Sequence, residues 1–155
     1  MEVPKQLTSN HEVGQIQVEK SNESKGKAFE DSVRNFLRSK TGLDFKERRV
    51  NVSGVDYKFD LVDETMQILG EAKFLKNIKN PAAKWDSIST YVWLLQHAKA
   101  EVKFIVFGRD RAVSERWLKR FAPLIREVEF YYLDMNGIEL LSDQSEGKLM
   151  NMLKQ

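Results

Sequence analysis

The stretch that decides the fold, Lys58 to Lys73, reads K-F-D-L-V-D-E-T-M-Q-I-L-G-E-A-K. It holds two β-compatible runs separated by a polar turn, which we predict at Asp63 to Met66. Successive strand residues point to opposite sides, so Glu71 and Lys73 share one face of the second run. The stretch therefore predicts an antiparallel β-hairpin that carries an acid and a lysine side by side.

The first strand of this hairpin offers two aspartates on one face. Alternation divides its residues into an apolar set and a charged set: Tyr57, Phe59 and Leu61 against Asp56, Lys58 and Asp60. Burying an unpaired charge costs several kcal/mol, so charged residues inside a strand need either water or a partner. The charged face, with Asp56, Lys58 and Asp60, is therefore the candidate for a functional site on this strand.

The register of the hairpin determines which acid meets Glu71. The turn predicted above pairs Val62 with Gln67, which places Lys58 opposite Glu71. Asp60 is then the diagonal neighbour of Glu71, ~7–8 Å away between Cα atoms. Two carboxylates at this separation can share one divalent cation, and an ammonium beside them can orient a water or stabilise charge on a phosphate.

The rest of the chain supplies alternating helices and strands. After a polar arm at 1–24, the predicted elements are a helix from near Ser24 to Gly42, a strand Leu43–Val52, the hairpin, a helix from Asn80-Pro81 to about Lys99, a strand Val102–Phe107, a helix Ala112–Phe121, strands Val128–Leu133 and Ile138–Leu141, and a short terminal helix. The tryptophans Trp85, Trp93 and Trp117 are expected in the core. This order predicts one domain over 25–155, a three-layer α/β/α sandwich with a mixed central sheet.

Composition narrows the kind of site. The chain of 155 residues has no cysteine and two histidines, which excludes thiolate chemistry and makes a metal held by several histidines improbable. Carboxylates favour hard ions such as Mg²⁺ or Mn²⁺. No apolar run approaches the ~20 residues of a membrane span, and no signal peptide is recognisable, so a cytoplasmic location is expected.

Basic residues fall into two clusters that are either solvated faces or phosphate-binding surfaces. The first comprises Lys73, Lys76, Lys79 and Lys84, and the second comprises Arg109, Arg111, Arg116, Lys119 and Arg120.

The hairpin segment resembles the core motif of the PD-(D/E)XK nuclease superfamily, which has an aspartate on one strand and acid-x-lysine on the next. The stretch G-K-A-F-E, Gly26 to Glu30, is similar to the first-helix signature of many members. The αβββαβ order of the restriction-endonuclease-like core also resembles the order predicted for residues 25–107. Phe59 stands where the family often has proline.

The resemblance implies roles for particular residues. Asp60 and Glu71 would bind Mg²⁺ or Mn²⁺ with the backbone carbonyl of Ala72, Lys73 would orient or deprotonate the attacking water, and Glu30 would assist from the first helix. Asp56 is an alternative to Asp60, because it shares the predicted face and follows Gly54-Val55. Further expectations are support from Gln96 on the second helix and phosphate contacts from Lys76 and Lys79.

The function implied is a metal-dependent nuclease that hydrolyses phosphodiester bonds, with DNA favoured over RNA. Within the superfamily, a stand-alone module this short resembles restriction-type or junction-resolving members. Those often act as dimers, so the resemblance is compatible with a homodimer. The alternative is a catalytically inactive nuclease-fold module that binds nucleic acid or a protein partner. A further alternative is a plain α/β interaction domain, in which the grouping of Asp60, Glu71 and Lys73 has no catalytic role.

Overall fold

The structure, a computed structural model, describes residues 25–75, 82–142 and 147–155, without the side chains of residues 82 and 83. The predicted arm at 1–24 and the predicted helix start at Asn80-Pro81 lie outside the described residues. Lys76 and Lys79, the expected phosphate contacts, also lie outside them. No helix in the described ranges is long and apolar enough to cross a membrane.

The element order predicted from the sequence is confirmed, with boundaries shifted by a few residues. The elements are α1 (25–41), β1 (Lys46–Val52), β2 (Val55–Val62), β3 (Ile68–Leu75), α2 (Ala82–His97), β4 (Val102–Arg109), α3 (Arg111–Phe121), a 3-10 turn (Ala122–Leu124), β5 (Glu129–Asp134), β6 (Gly137–Leu140) and α4 (Lys148–Leu153). Helix α1 ends as predicted because Gly42 adopts a φ of 73° and donates its N–H to the carbonyl of Arg38 at 2.8 Å.

The six strands form one mixed sheet in the order β1-β2-β3-β4-β5-β6. Neighbours are antiparallel except for β3–β4 and β4–β5, which are parallel. Parallel neighbours need a crossover connection, and α2 and α3 provide these two. Helices α2 and α3 contribute to the apolar cluster on one face, and α1 and α4 to the cluster on the other. The predicted α/β class with a mixed central sheet is confirmed, and the layers are those of an α/β/α sandwich.

The predicted register of the β2–β3 hairpin is wrong by two residues. Val62 pairs with Leu69 rather than with Gln67. The carboxylate of Asp63 accepts hydrogen bonds from the N–H groups of Gln67 and Ile68, both at 3.0 Å, so the loop runs one residue further than predicted. Continuing the observed register brings Asp60, rather than Lys58, level with Glu71.

The predicted faces of β2 are also wrong. Phe59 packs in the cluster beneath α2 and α3, whereas Leu61 packs in the cluster beneath α1 and α4. The pairing of β1 with β2 shifts by one residue between Lys46 and Arg48, so β2 accommodates an extra residue beside Asp60. Such a bulge reverses the alternation and re-aims a side chain, and bulges are frequent next to active sites.

The tryptophans divide between core and surface. Trp117 is fully buried and Trp85 packs at the edge of the same cluster, as expected. Trp93 was expected in the core but has 63% of its surface exposed. It follows the buried Val92 on α2, where one residue of rotation turns a side chain by ~100° away from the sheet.

Candidate active site

A gap in the sheet between β2 and β3 defines the candidate site. Strand β3 pairs with β4 along all its residues from Ile68 to Leu75. Its ladder with β2 contains only the pairs Leu61–Gly70 and Val62–Leu69. Beyond Gly70 the backbone of β3 therefore has no ladder pairs with the backbone of β2, and side chains can enter between the strands.

Two carboxylates bridge this gap by bonding to the opposite backbone. The N–H of Asp60 donates to Oε1 of Glu71 at 2.8 Å, and the N–H of Ala72 donates to Oδ2 of Asp60 at 3.2 Å. In an extended strand the N–H and C=O of one residue point to the same side. The carbonyl of Ala72, which the resemblance implies as a third ligand, therefore also faces the gap.

Glu71 is a buried acid with incomplete compensation. Only 2% of its surface is exposed. Burial, and then the neighbouring negative charge of Asp60, raise the pKa of Glu71 to about 9, with Lys73 acting in the opposite direction. A carboxyl group in this environment carries a proton at neutral pH unless a cation offsets its charge.

Lys73 is held by three groups around its ammonium. The Nζ atom lies 3.7 Å from Oε2 of Glu71 and donates to Oγ of Ser87 at 3.0 Å. It also lies 4.4 Å above the centre of the Tyr91 ring, within the range of a cation–π contact. The hydroxyl of Tyr91 donates to the carbonyl of Lys58 at 3.3 Å, which ties α2 to β2. The ammonium is thereby fixed beside the two acids.

Two further carboxylates approach Asp60 from α1 and β1. One oxygen each from Glu30, Glu47 and Asp60 lie within 4.8 Å of one another, an arrangement able to hold a metal ion. Burial and the charge of Asp60 raise the pKa of Glu30, while Arg34, 3.5 Å away, lowers it. Arg34 also donates to the carbonyl of Asp60 at 3.2 Å, so α1 is fastened to β2 at this point.

Glu30, Asp60, Glu71 and Lys73 line a cleft of ≈ 380 Å³. Its lining residues come from α1, β2, β3 and α2: Gly26, Glu30, Asp60, Glu71, Ala72, Lys73, Phe74, Leu75, Lys84, Ser87, Ile88 and Tyr91. A larger cavity of ≈ 510 Å³ lies beside α3 and β5. Among the residues that the structure describes, Lys119 is the one charged residue that lines it, so they form no cluster of reactive groups there.

The structure brings together the predicted residues Glu30, Asp60, Glu71 and Lys73. It does not bring Asp56 to them, because Asp56 lies at the exposed β1–β2 turn, where its carboxylate accepts from the amide of Asn51 at 3.1 Å. Gln96 is also elsewhere, at the other end of α2.

At that end, Oε1 of Gln96 accepts from the N–H of Arg126 at 3.0 Å. The side chain therefore anchors the loop before β5 and does not face the cleft.

Sequence reasoning missed Glu47, Ser87 and Tyr91. Glu47 lies on β1, a charged strand that carries no recognisable motif in the sequence. Its position in the site depends on how β1 pairs with β2. Ser87 and Tyr91 are four residues apart on α2, a spacing that places both on one face of a helix. That spacing was the available signal, although it does not tell which face meets Lys73.

Comparisons with protein-family models, with curated proteins and with solved structures find no match to this chain. The fold and the site therefore define the class of protein by themselves. It is an α/β protein whose mixed sheet opens into a cleft lined by carboxylates and one fixed lysine.

Proposed function

We propose that the protein is a metal-dependent nuclease that hydrolyses phosphodiester bonds, and specifically a DNA endonuclease. The observation that carries the proposal is the cleft at the gap between β2 and β3: Asp60 and Glu71 bridge the gap, and Lys73 lines the same cleft 3.7 Å from Glu71. The element order and the residues quoted from the sequence support the same class, by resemblance to the PD-(D/E)XK nucleases.

The donor groups in the cleft fit a hard divalent cation. Asp60 and Glu71 would hold Mg²⁺ or Mn²⁺ together with the carbonyl of Ala72, and Glu30 and Glu47 would complete the oxygen shell. Burial and the charge of Asp60 raise the pKa of Glu71, and a cation held between the two acids would offset both effects. When bound, such an ion polarises a phosphate and lowers the pKa of a coordinated water.

The chain's own residues supply orientation and charge. Lys73 has an ammonium with three donors, of which Ser87 accepts one. A second donor can hold the attacking water or an oxygen of the scissile phosphate, where negative charge grows during the reaction. The Tyr91 ring holds the ammonium of Lys73 by a cation–π contact. This contact accepts no hydrogen bond from the ammonium, so the N–H donors of Lys73 stay available.

The test is cleavage of a panel of DNA substrates: linear duplex, single strand, flap and four-way junction. We expect cleavage of at least one substrate with Mg²⁺ or Mn²⁺ and none with EDTA. Asp60→Asn and Lys73→Met should each lower the rate by about 10²–10³-fold. Asp56→Asn is the matched control, since it removes an acid from the same strand outside the cleft, and it should cleave like the wild type.

Two outcomes contradict the proposal in different ways. Absence of metal-dependent cleavage across the panel would remove the nuclease assignment, and DNA binding without cleavage would favour the inactive nuclease-fold module. Full activity in Lys73→Met would leave the class standing but would show that the site lies elsewhere.

A further inference from the structure

Arg109 ends β4 at the same edge of the sheet as the cleft. It pairs with Leu75 at the carboxyl end of β3, and the two strands are parallel, so both end together. Phe74 and Leu75 line the cleft. In open α/β sheets, ligands bind at the carboxyl edge of the parallel strands. Arg109 therefore lies at the carboxyl edge of the sheet, beside the cleft, where a ligand larger than the cleft would continue.

The backbone of Arg109 is held in a conformation that arginine rarely adopts. Its φ is 72°, in the left-handed region. The hydroxyl of Tyr132 donates to its carbonyl at 3.1 Å, and the N–H of Asp110 donates to the carbonyl of Gly108 at 3.1 Å. At Gly108 an added Cβ would clash with the ring of Phe29, so α1 packs directly on this backbone. The position of Arg109 is fixed from several sides.

The guanidinium of Arg109 lies over an aromatic ring and keeps its charge available. The guanidinium carbon is 5.7 Å from the centre of the Phe74 ring, which packs against Phe29 at 5.5 Å. The residue is exposed, and no carboxylate among residues 25–75, 82–142 and 147–155 forms an ion pair with it. The guanidinium is thus held over the Phe74 ring, and no carboxylate in the described ranges neutralises its charge.

Arg111, two residues further on, shows the opposite arrangement. Its Nη1 lies 2.6 Å from Oε2 of Glu139, and its Nε lies 2.8 Å from Oε1 of Glu115. Nη2 makes a second bond to Glu139 at 2.8 Å. The guanidinium of Arg111 is therefore occupied by two acids, although the sequence placed both arginines in one basic cluster.

We propose that Arg109 binds a backbone phosphate of the DNA next to the scissile bond and so positions the substrate; this rests on the function proposed above. A cleft lined by carboxylates repels a polyanion, so substrate binding needs cations at its border. The guanidinium provides two parallel N–H donors that match two phosphate oxygens. The contact reads no base and gives affinity without sequence preference.

The test compares Arg109→Asn with Arg111→Asn. Each substitution removes one positive charge, so any effect of net charge is the same in both. Asparagine also tolerates positive φ, which protects the local backbone at position 109. Binding to a labelled duplex is measured by fluorescence anisotropy over a range of salt concentrations, with Ca²⁺ in place of Mg²⁺, and cleavage of the same duplex is measured with Mg²⁺.

At about 0.1 M salt we expect Arg109→Asn to bind roughly five- to tenfold more weakly, with a salt dependence reduced by about 0.9 in slope. Arg111→Asn should stay within about twofold of the wild type. Arg109→Gly, which suits the left-handed backbone, should show the same loss, so the test survives if the asparagine variant does not fold.

Equal binding by Arg109→Asn and the wild type would overturn the inference, and so would equal losses in both arginine variants. Cleavage that is intact in Arg109→Asn would overturn it while leaving the nuclease proposal in place. If binding depends on Arg109 but no metal-dependent cleavage is observed, the phosphate contact stands and the nuclease proposal fails.

Discussion

Two buried glutamates, on the strands that flank β4, differ in how their charge is met. Glu129 on β5 is 5% exposed, and its carboxylate accepts from the N–H of Lys148 at 2.7 Å, the N–H of Leu149 at 3.1 Å and the hydroxyl of Tyr131 at 2.6 Å. Glu71 on β3 is 2% exposed, accepts one backbone N–H and has the Lys73 ammonium 3.7 Å away, but it faces a second acid, Asp60. The first acid is satisfied by the fold, and the second is not.

The difference indicates what each acid does. Glu129 caps the first turn of α4 and holds this helix on the sheet, which is a structural task. Glu71 contributes little to the metal-free fold because its charged form is disfavoured by burial and by Asp60. A buried group that the fold does not satisfy is a candidate for function. Substitutions at the two positions should therefore have opposite consequences.

The largest expected effect is on cleavage. Glu71→Gln keeps the shape of the side chain but removes the charge that would bind the cation, so activity should fall by about 10²–10³-fold. Glu129→Gln should stay within about threefold of the wild-type rate per folded molecule. The measurement is the initial rate of duplex cleavage with Mg²⁺. Similar losses in both variants would remove the distinction between the two acids.

Stability should show the reverse order. Glu129→Gln presents an amide where backbone N–H groups need acceptors, and we expect a loss of about 1.5–3 kcal/mol in the free energy of unfolding. Glu71→Gln should be as stable as the metal-free wild type or more stable at pH 8, because it replaces an acid that is costly to ionise. Urea denaturation in EDTA measures both, and a Glu71→Gln variant that is the less stable of the two would contradict the comparison.

The pH dependence of stability sharpens the comparison further. The pKa of Glu71 is about 9 in the fold, above its ordinary value of 4.5, so between these values the folded state holds a proton that the unfolded state has released. Stability contributed by this group is complete below pH 4.5 and is lost as the pH rises through 9. Metal-free wild type should therefore lose stability on going from pH 6 to pH 9, by at most ~1.4 kcal/mol per pH unit.

Glu71→Gln should remove this slope, while Glu129→Gln should retain it. Urea midpoints across the pH range provide the measurement. A wild-type protein with the same slope as Glu71→Gln would mean that Glu71 is not protonated in the metal-free fold.

The smallest effect is expected from the support of Lys73. Tyr91→Leu removes the ring beneath the ammonium, which is worth about 0.5–1 kcal/mol and so a two- to fivefold loss of rate. Tyr91→Phe keeps the ring and loses only the bond to the carbonyl of Lys58, so it should cleave like the wild type. A phenylalanine variant as slow as the leucine variant would assign the effect to the hydroxyl.

The sequence was sufficient for those parts of the site that depend on local geometry. Glu71 and Lys73 share a face because the period of a strand is two residues, whatever the turn. Glu30 could be placed on α1 from helical periodicity and from the signature G-K-A-F-E. These features depend on residues close together in the chain.

The remaining parts depend on pairings that periodicity does not determine. The loop of the hairpin is longer than its composition suggested, because Asp63 bonds to the N–H groups of Gln67 and Ile68. The bulge beside Asp60 separates Phe59 from Leu61 and aims the aspartate into the gap.

Contacts between distant segments could not be predicted either, because periodicity does not determine which segments pack together. Glu47 and Tyr91 join the site through the packing of β1 and α2 around β2. A single sequence carries no record of such contacts.

The most direct test of the account is calorimetric titration of Mn²⁺ into the metal-free protein at pH 7.5, in two buffers that differ in ionisation enthalpy. The account predicts binding with release of about one proton, because the cation displaces the proton of Glu71. Glu71→Gln should bind weakly and release none. Absence of Mn²⁺ binding in the wild type, or equal binding by Glu71→Gln, would contradict the central claim that the gap between β2 and β3 is a cation-binding active site. Wild-type binding with no proton released would contradict only the protonation of Glu71 in the metal-free fold.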